Sequence, residues 1–320
     1  MLERPRRNRR SSSLRKMLQE TRVSPHELVL PLFIKEGTRI REEIPSIPGN
    51  FRLSLDEAFR EADRALERGI HGLALFPVIP DSKKDSKASE SKNPQGIAPE
   101  AIRQLKKRFP ELVLFADVAM DPYSSDGHDG LVIDGRIAND ETLPILNDQA
   151  LCLAQAGADF ISPSDMMDGR VQGIREHLDS HGLIETGILS YTAKYASCLY
   201  GPFRQALDSA PRFGDKKTYQ MDPANRLEAL REARLDAQEG ADILMVKPAL
   251  SYLDVISDLS SHSDLPIAAY QVSGEFAMMH AAARNGWLDL DRALLESLTS
   301  IRRAGASLIF TYAALSVNLD

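Results

Sequence analysis

The sequence has few of the features that mark secreted, membrane or nucleic-acid-binding proteins. Its 320 residues include two cysteines, Cys152 and Cys198, which are too few for a disulfide scaffold or a cysteine-rich zinc site. No run approaches the ~18 consecutive apolar residues of a transmembrane helix, and no apolar signal-peptide core begins the chain. A net charge of −7 argues against a general nucleic-acid binder. We expect a soluble protein of a reducing compartment, by default the cytoplasm, although the sequence leaves a plastid location open.

The charge is distributed unevenly along the chain. Residues 1–20 carry seven basic side chains against two acidic ones, so a basic segment precedes an acidic remainder. Such an arm is suited to docking on a neighbouring subunit. We therefore divide the chain into an N-terminal arm for subunit contacts (1–26) and a catalytic domain (27–320). A solvated tail or a targeting segment rich in Arg and Ser would have the same composition.

Short apolar runs alternate with longer amphipathic stretches, and each run is typical of a buried strand. There are eight runs: 29–34, 72–76, 112–118, 159–162, 188–192, 243–247, 266–272 and 307–312. Four of them follow a similar glycine junction, at Gly69, Gly157, Gly240 and Gly305, and glycine permits the left-handed conformation that ends a helix. Repeated helix–strand units with eight strands predict an α/β fold, a closed (β/α)₈ TIM barrel. The alternative is an open doubly wound sheet, which the absence of Gly-x-Gly-x-x-Gly after the first strand disfavours.

Three long segments interrupt this alternation, at 77–97, 119–143 and 201–221. Each follows a predicted strand, so each is expected on the face of the barrel that carries active sites. Long loops in that position are usually lids or binding loops. We therefore expect a lid over the C-terminal face. The chain ends soon after the eighth run, so the eighth helix should be short or absent.

Two lysines close apolar runs: Lys194 and Lys247. A buried ammonium loses its hydration, so such a lysine is either a solvated strand end or a desolvated amine. Neighbouring amines lower each other's pKa from the ordinary ~10.4, and a neutral amine attacks a ketone to form an imine. The other predicted strand ends add a polar ring at the same mouth: Asp117, Ser162 to Asp165, Ser273 and Tyr312. This pattern predicts imine chemistry on one or two carbonyl substrates.

The sequence around these residues resembles the porphobilinogen synthase (5-aminolevulinate dehydratase) family. The matching motifs are SPSDMMDGR at 162–170, SYTAKYASCLYGPFR at 190–204, GADILMVKPALSY at 240–252 and YQVSGEFAM at 270–278. The resemblance extends from about Arg4 to Tyr312. It implies a TIM-barrel lyase without an organic cofactor that condenses two molecules of 5-aminolevulinate to porphobilinogen, with loss of two waters, in heme and chlorophyll biosynthesis.

The resemblance also implies a role for each site residue. Lys247 would hold one substrate as a Schiff base in the A site and Lys194 the other in the P site, with Asp117 and Tyr191 in support. Four residues would bind the two substrate carboxylates through cations and hydroxyls: Arg204 and Lys216 for one, Ser273 and Tyr312 for the other.

Metal use separates the branches of the family. Zinc-dependent members have three cysteines where this chain has Ala119, Asp121 and Asp129, so no zinc is expected. Carboxylates suit hard cations such as Mg²⁺, and the segment resembles the aspartate-rich, magnesium-responsive branch. Asp121 and Asp129 would either bind an active-site cation or form an acidic loop that hydrogen-bonds its neighbours, and the sequence leaves both open.

Residues 219–232 resemble the helix start that supplies the allosteric Mg²⁺ ligand of the family. Glu232 would be that ligand, and Asp165 of a neighbouring subunit would hold the water shell, since Mg²⁺ keeps several waters. Pairing of Glu232 with Arg231 or with another charge on the helix surface is the structural alternative. The basic arm resembles the family arm that embraces a partner barrel in homo-octamers built from dimers. Two other functions remain open, a single-lysine Schiff-base aldolase and a non-catalytic barrel.

Overall fold

The computed structural model describes residues 1–207 and 209–319. Within them the strands are β1 (Leu28–Lys35), β2 (Arg41–Glu43), β3 (Phe51–Leu53), β4 (Gly72–Val78), β5 (Val113–Val118), β6 (Leu131–Ile133), β7 (Arg136–Ala138), β8 (Phe160–Pro163), β9 (Gly187–Lys194), β10 (Ile243–Lys247), β11 (Ile267–Gln271) and β12 (Leu308–Thr311). The helices are α1 (Ser12–Met17), α2 (Leu55–Glu67), α3 (Ile97–Arg108), α4 (Asn139–Gln155), α5 (Arg170–Ser180), α6 (Gly201–Leu207), α7 (Leu227–Gln238), α8 (Leu253–His262), α9 (Ser273–Arg284) and α10 (Leu290–Arg303).

Eight strands form a closed parallel barrel in the order β1, β4, β5, β8, β9, β10, β11, β12. The ring closes where β12 pairs with β1 through Leu28 and Ile309. Barrel strands are covered by side chains on the inside and by helices on the outside, which is why their sequences are continuous apolar runs. All eight predicted runs are barrel strands. The closed (β/α)₈ prediction is therefore confirmed.

The connections between strands follow the predicted helix–strand pattern. The four junction glycines have positive φ, from 75° to 118°, as a left-handed helix stop requires. Helix α4 begins at Asn139, inside the third long segment, and it contains Pro144. After β12, residues 312–316 form turns and residues 317–319 are irregular, so no helix occurs in this stretch. Among the described residues, no helix is long and apolar enough to cross a membrane.

Two small antiparallel ladders were not predicted. Strand β2 pairs with β3, which continues the barrel sheet beside β1, and β6 pairs with β7. Strand β2 reads Arg-Glu-Glu and is exposed, so it lacks the apolar alternation that marks a strand in sequence. We call residues 36–54, which include the first ladder, the strap.

The N-terminal arm consists of a 3₁₀ turn at Pro5–Arg9 and the short helix α1. Neither of these elements contains a buried residue. Four apolar side chains of the arm are exposed: Met1, Leu2, Met17 and Leu18. The arm therefore presents both basic and apolar groups to its surroundings.

Candidate active site

Lys194 and Lys247 lie side by side at the mouth of the barrel. They end β9 and β10 and are direct partners in the ladder between these strands. Strand β9 carries one extra residue opposite the stretch from Leu244 to Val246, and this irregularity brings the two lysines into register. Paired residues of neighbouring parallel strands point to the same side, so both amines enter the mouth. Both lysines are buried, with 7% and 5% of their surface exposed.

Aromatic rings surround the amine of Lys247. Its Nζ lies 4.5 Å from the ring centre of Tyr270, 4.9 Å from Phe203, 5.0 Å from Tyr191 and 5.4 Å from Tyr200. Burial, assisted by the positive charge of Lys194, lowers the pKa of Lys247 to about 7. A large fraction of this amine is therefore neutral and nucleophilic near neutral pH.

Polar groups surround the amine of Lys194 instead. It donates a hydrogen bond to the backbone carbonyl of Ser164 and forms an ion pair of 3.5 Å with Asp129. The ring of Tyr191 lies 5.9 Å away, so this tyrosine faces both lysines. The two amines share one mouth but have different partners.

A third buried lysine, Lys216, lies between the two aspartates for which a cation was considered. Its Nζ is 2.7 Å from Asp129 Oδ1 and 3.2 Å from Asp121 Oδ2. Although burial works in the opposite direction, Lys194 and Lys216 hold the pKa of Asp129 well below its usual range. Burial by itself would lower the pKa of Lys216. The carboxylates of Asp121 and Asp129 have the larger combined effect, so the pKa of Lys216 is raised. The two aspartates thus enclose a buried ammonium group, and the active-site cation and the hydrogen-bonded acidic loop both stay predictions.

Asp117 lies near the end of β5, in the same acidic region. Its Oδ1 is buried without a hydrogen-bond partner among the described residues. Burial, together with the negative charge of Asp121, raises the pKa of Asp117 to about 7. A carboxyl group with this pKa and a free oxygen can both accept and donate a proton near neutral pH.

The predicted lid covers the mouth with α6 and the loop that follows it. Phe203 of α6 packs against Phe33 and Phe76, with ring centres 5.7 and 5.2 Å apart. Because the same ring contacts the Lys247 amine, the lid excludes water from this lysine. At the far end of the lid, the Met221 backbone N–H donates to the Lys194 carbonyl at 3.0 Å, which returns the chain to the barrel.

Arg204 and Lys216, predicted to bind one substrate carboxylate, line one cavity of about 540 Å³ under the lid. Gln220 lines the same cavity, and its Oε1 has no partner among the described residues. Arg204 is half-buried, with its guanidinium 6.0 Å from the ring of Tyr200. The cavity therefore combines two cationic groups with an amide, which is a suitable environment for a carboxylate.

Ser273 and Tyr312, predicted to bind the other carboxylate, are both buried. Ser273 begins α9, and its Oγ accepts a hydrogen bond of 3.0 Å from the backbone N–H of Phe203 in the lid. The Tyr312 hydroxyl lies 3.1 Å from that of Tyr270. Because Tyr270 also contacts Lys247, the hydroxyl pair lies next to the amine cage.

Glu232 and Asp165 were predicted for the allosteric Mg²⁺ site, and Asp165 directly follows Ser164, whose carbonyl contacts Lys194 at the mouth. Glu232 of α7 is half-buried and makes no ion pair within residues 1–207 and 209–319, so the pairing with Arg231 is absent there. Burial raises its pKa to about 7, opposed by Arg170 and assisted by Asp236. Burial also raises the pKa of Asp165 to about 6. An unpaired carboxylate in acidic surroundings fits a hydrated Mg²⁺, which takes few protein ligands.

The sequence did not identify the ring cage or the Ser164 carbonyl as parts of the site. Tyr200, Phe203 and Tyr270 occur within the matching motifs, but buried aromatic residues in a barrel are typical core residues. Every residue has a backbone carbonyl, so the residue type at 164 does not indicate that its carbonyl belongs to the site. These groups are recognised as functional only when the fold places them against the lysines.

Comparison with known proteins agrees with this geometry. The family model described as Delta-aminolevulinic acid dehydratase matches residues 2–319. The chain is 57% identical over 321 residues to the chloroplastic delta-aminolevulinic acid dehydratase of Physcomitrium patens, covering 98% of this chain and 73% of the relative. It is 52% identical over 311 residues to the enzyme of Chlamydia pneumoniae, covering 97% and 94%.

A solved structure shows the same similarity in three dimensions. The delta-aminolevulinic acid dehydratase (porphobilinogen synthase) of Toxoplasma gondii ME49, in complex with the reaction product porphobilinogen, superposes with a TM-score of 0.96. The two chains are 52% identical, and the match covers 98% of this chain and 90% of the other. This family is a metal-dependent enzyme class. The chain belongs to the delta-aminolevulinic acid dehydratase family and condenses two molecules of 5-aminolevulinate to porphobilinogen in tetrapyrrole biosynthesis.

Proposed function

We propose that Lys247 and Lys194 divide the two 5-aminolevulinate molecules between them, each forming a Schiff base with one ketone. The observation that carries this proposal is the pairing of the two buried amines at one barrel mouth. Two ketones held on adjacent strands are close enough to react with each other, which replaces a bimolecular encounter by an oriented reaction.

Lys247 forms its Schiff base as the neutral amine. Its nitrogen bonds to the ketone carbon, the carbonyl oxygen is protonated, and loss of water leaves a positively charged iminium. Burial in the cage penalises the strongly hydrated ammonium and lowers the pKa of Lys247. The iminium charge is spread onto carbon and is less strongly hydrated, so the same cage penalises it less, and the ring faces attract it through cation–π interactions.

Lys194 forms its Schiff base beside a carboxylate. A protonated imine keeps the positive charge of the ammonium, so Asp129 can remain its ion-pair partner after water is lost. The Ser164 carbonyl accepts a hydrogen bond from the amine before the reaction. We assign the P-site substrate to Lys194 and the A-site substrate to Lys247.

Asp117 moves protons in this mechanism. Each ketone must lose its oxygen as water, and the leaving oxygen must first be protonated. Asp117 has a free oxygen and a pKa of about 7, so it can donate a proton in one step and recover it in another. Tyr191 supports both lysines, since its ring centre lies 5.9 Å from the Lys194 amine and 5.0 Å from the Lys247 amine.

The two substrate carboxylates bind to different groups. Arg204 and Lys216 hold one of them in the cavity under the lid, where two cations oppose the negative charge. The hydroxyls of Ser273 and Tyr312 hold the other. This separation orients both ketones towards the lysines.

Borohydride trapping tests the division of substrates. Reduction in the presence of 5-aminolevulinate should leave a stable adduct on both lysines, located by peptide mass spectrometry. Lys247→Ala should retain the adduct on Lys194 and form no pyrrole, and the control Lys92→Ala, at a lysine paired with Asp148 outside the cavity, should behave like the native protein. Labelling of a single lysine in the native protein would instead indicate the aldolase mechanism, and labelling of neither would overturn the proposal.

We further propose that Glu232 binds an allosteric Mg²⁺. Asp165 is fully buried in its own chain, which leaves it no access to the water shell of an ion on a neighbouring subunit. The half-buried, unpaired carboxylate of Glu232 supports its assignment. The bound ion would neutralise the acidic charge around α7. Treatment with EDTA should lower the rate, Mg²⁺ should restore it, and Glu232→Gln should abolish that response. Restoration by Zn²⁺ alone would contradict the proposal.

The arm supports a proposal about assembly. Residues 1–26 would embrace a neighbouring barrel in a homo-octamer, since their exposed apolar and basic side chains suit an acidic partner surface. Deletion of residues 1–20 should reduce the number of subunits per particle, as measured by analytical ultracentrifugation. An unchanged number of subunits would refute this role for the arm. We propose the cytoplasm as the compartment, in keeping with two free cysteines.

A further inference from the structure

The strap holds the lid helix α6 at both ends. Arg52 of β3 donates from Nε to the carbonyl of Ala206 and from Nη2 to that of Gln205, each at 2.7 Å. These carbonyls belong to the last turn of α6, where a helix has no internal donors for them. At the other end, Ser46 donates to the Pro202 carbonyl at 3.4 Å.

The Arg52 side chain is itself held in position. Its Nη1 lies 2.5 Å from Glu42 Oε1, and the other oxygen of Glu42 lies 2.8 Å from Lys35 Nζ. Three nitrogens of the guanidinium are therefore engaged, one with a carboxylate and two with the lid. The planar fork of arginine suits this arrangement, whereas a lysine offers a single point of attachment.

The consequence falls on the residues that α6 carries. Phe203 covers the Lys247 amine, and the next residue, Arg204, lines the carboxylate cavity. A helix of seven residues is too short to be stable without tertiary contacts. The position of both side chains therefore depends on what holds α6.

We infer that Arg52 is a positioning residue for the reaction: by fastening the last turn of α6, it sets where Arg204 meets the substrate carboxylate. This inference rests on the proposed role of Arg204. Arg52 itself lies on the strap and takes no part in the chemistry. Loss of the Arg52 contacts to α6 should weaken substrate binding more than it slows the reaction of bound substrate.

Kinetics of Arg52 variants test this inference. Arg52→Ala should raise KM for 5-aminolevulinate roughly tenfold, with a smaller change in kcat, because two hydrogen bonds to the lid are lost. Arg52→Lys should have an intermediate KM. Added guanidinium ion should lower the KM of Arg52→Ala, since it can occupy the vacated position, and a general loss of folding would show no such rescue.

A matched control is available in Arg68, which donates to the backbone carbonyl of Val317 at 2.6 Å. Arg68→Ala also loses an arginine–carbonyl hydrogen bond, but at a site away from the lid. Its KM should stay close to the native value. Trypsin should cleave the lid at Arg204 and Arg212 several-fold faster in Arg52→Ala than in Arg68→Ala.

The outcomes separate this inference from the proposed function. If Arg204→Ala raises KM while Arg52→Ala changes neither KM nor lid cleavage, the role of Arg52 is refuted and that of Arg204 stands. An equal rise of KM in Arg52→Ala and Arg68→Ala would also refute it. If Arg204→Ala leaves KM unchanged, the proposed carboxylate site is wrong, and the positioning role falls with it even if Arg52 fastens the lid.

Discussion

The two lysines of the site occupy adjacent positions in the same barrel, yet their surroundings differ in kind. Lys247 contacts four aromatic rings. Lys194 contacts a carboxylate and a backbone carbonyl. Rings remove water without supplying a negative charge, so they favour a neutral amine, whereas a carboxylate stabilises a cation. In the proposed mechanism, Lys247 therefore starts as a neutral amine, whereas Lys194 keeps a carboxylate partner for its positive charge.

This difference assigns separate tasks to residues that the chain places close together. The lid protects Lys247, because Phe203 belongs to it. The acidic loop serves Lys194 and also Lys216, because Asp129 contacts both. Substitutions around Lys247 and substitutions around Lys194 should therefore have different effects on kinetics, stability and pH dependence.

The largest expected effect comes from removing the negative charge of Asp129, which pairs with both Lys194 and Lys216. Asp129→Asn should lower kcat/KM roughly 10²-fold or more, because hydrogen bonds to two charged groups are weakened together. Asp121→Asn should have a smaller effect, since Asp121 contacts Lys216 alone among the three lysines. Steady-state pyrrole assays measure both. Equal losses would show that the contact with Lys194 has no role in the reaction.

A smaller effect is expected from removing the ammonium group of Lys216 in the lid. Lys216→Ala should raise KM by about tenfold or more, because the substrate carboxylate loses a charged partner and Asp129 loses an ion pair. Lys92→Ala is the matched control, since Lys92 also pairs with a carboxylate, that of Asp148 at 3.1 Å, but does not line this cavity. If both variants have the same KM, the cavity under the lid does not bind the carboxylate.

Stability should also distinguish the lysines. Lys194→Met should lower the free energy of unfolding by about 1–3 kcal/mol, because it leaves a buried carboxylate with one fewer partner. Lys247→Met should leave stability unchanged or raise it, since a thioether suits an aromatic cage better than a desolvated amine does. Urea unfolding of the two variants measures this difference. An equal loss of stability in the two variants would mean that the ring cage does not disfavour the charged form of Lys247.

The smallest expected effect is a shift of a pH profile. Phe203→Ala should admit water to Lys247 and raise its pKa from about 7 towards the ordinary value, so the neutral fraction at pH 7 falls. The midpoint of borohydride trapping at Lys247 should move to higher pH by roughly half a unit to one unit. Phe203→Leu keeps an apolar cover and should shift less. Asp129→Asn should move the midpoint in the opposite direction, because a negative charge that favours the ammonium is removed.

Much of the barrel could be predicted because its signal is local. Each buried strand is a continuous apolar run, and the four glycine junctions have the backbone conformation that their residue type indicates. The strap and the β6–β7 ladder could not be predicted, because Arg41–Glu43 has no apolar pattern and strands of three residues, such as Phe51–Leu53 and Leu131–Ile133, are too short to show a periodicity. Arg52 was missed for the same reason, since nothing in its neighbourhood distinguishes a lid contact from a solvated arginine.

The sequence by itself determined the eight-stranded barrel, the two lysines at strand ends and the long lid segment, because these depend on hydrophobic runs and residue identity. Only the tertiary structure decided how the lysines differ. One extra residue in β9 brings Lys194 level with Lys247, and a shift of one position in a strand turns a side chain to the opposite face. Lys216 lies between two aspartates, and the rings meet at Lys247, because residues distant in sequence converge at one mouth. Such contacts depend on register and packing, which are properties of the folded barrel.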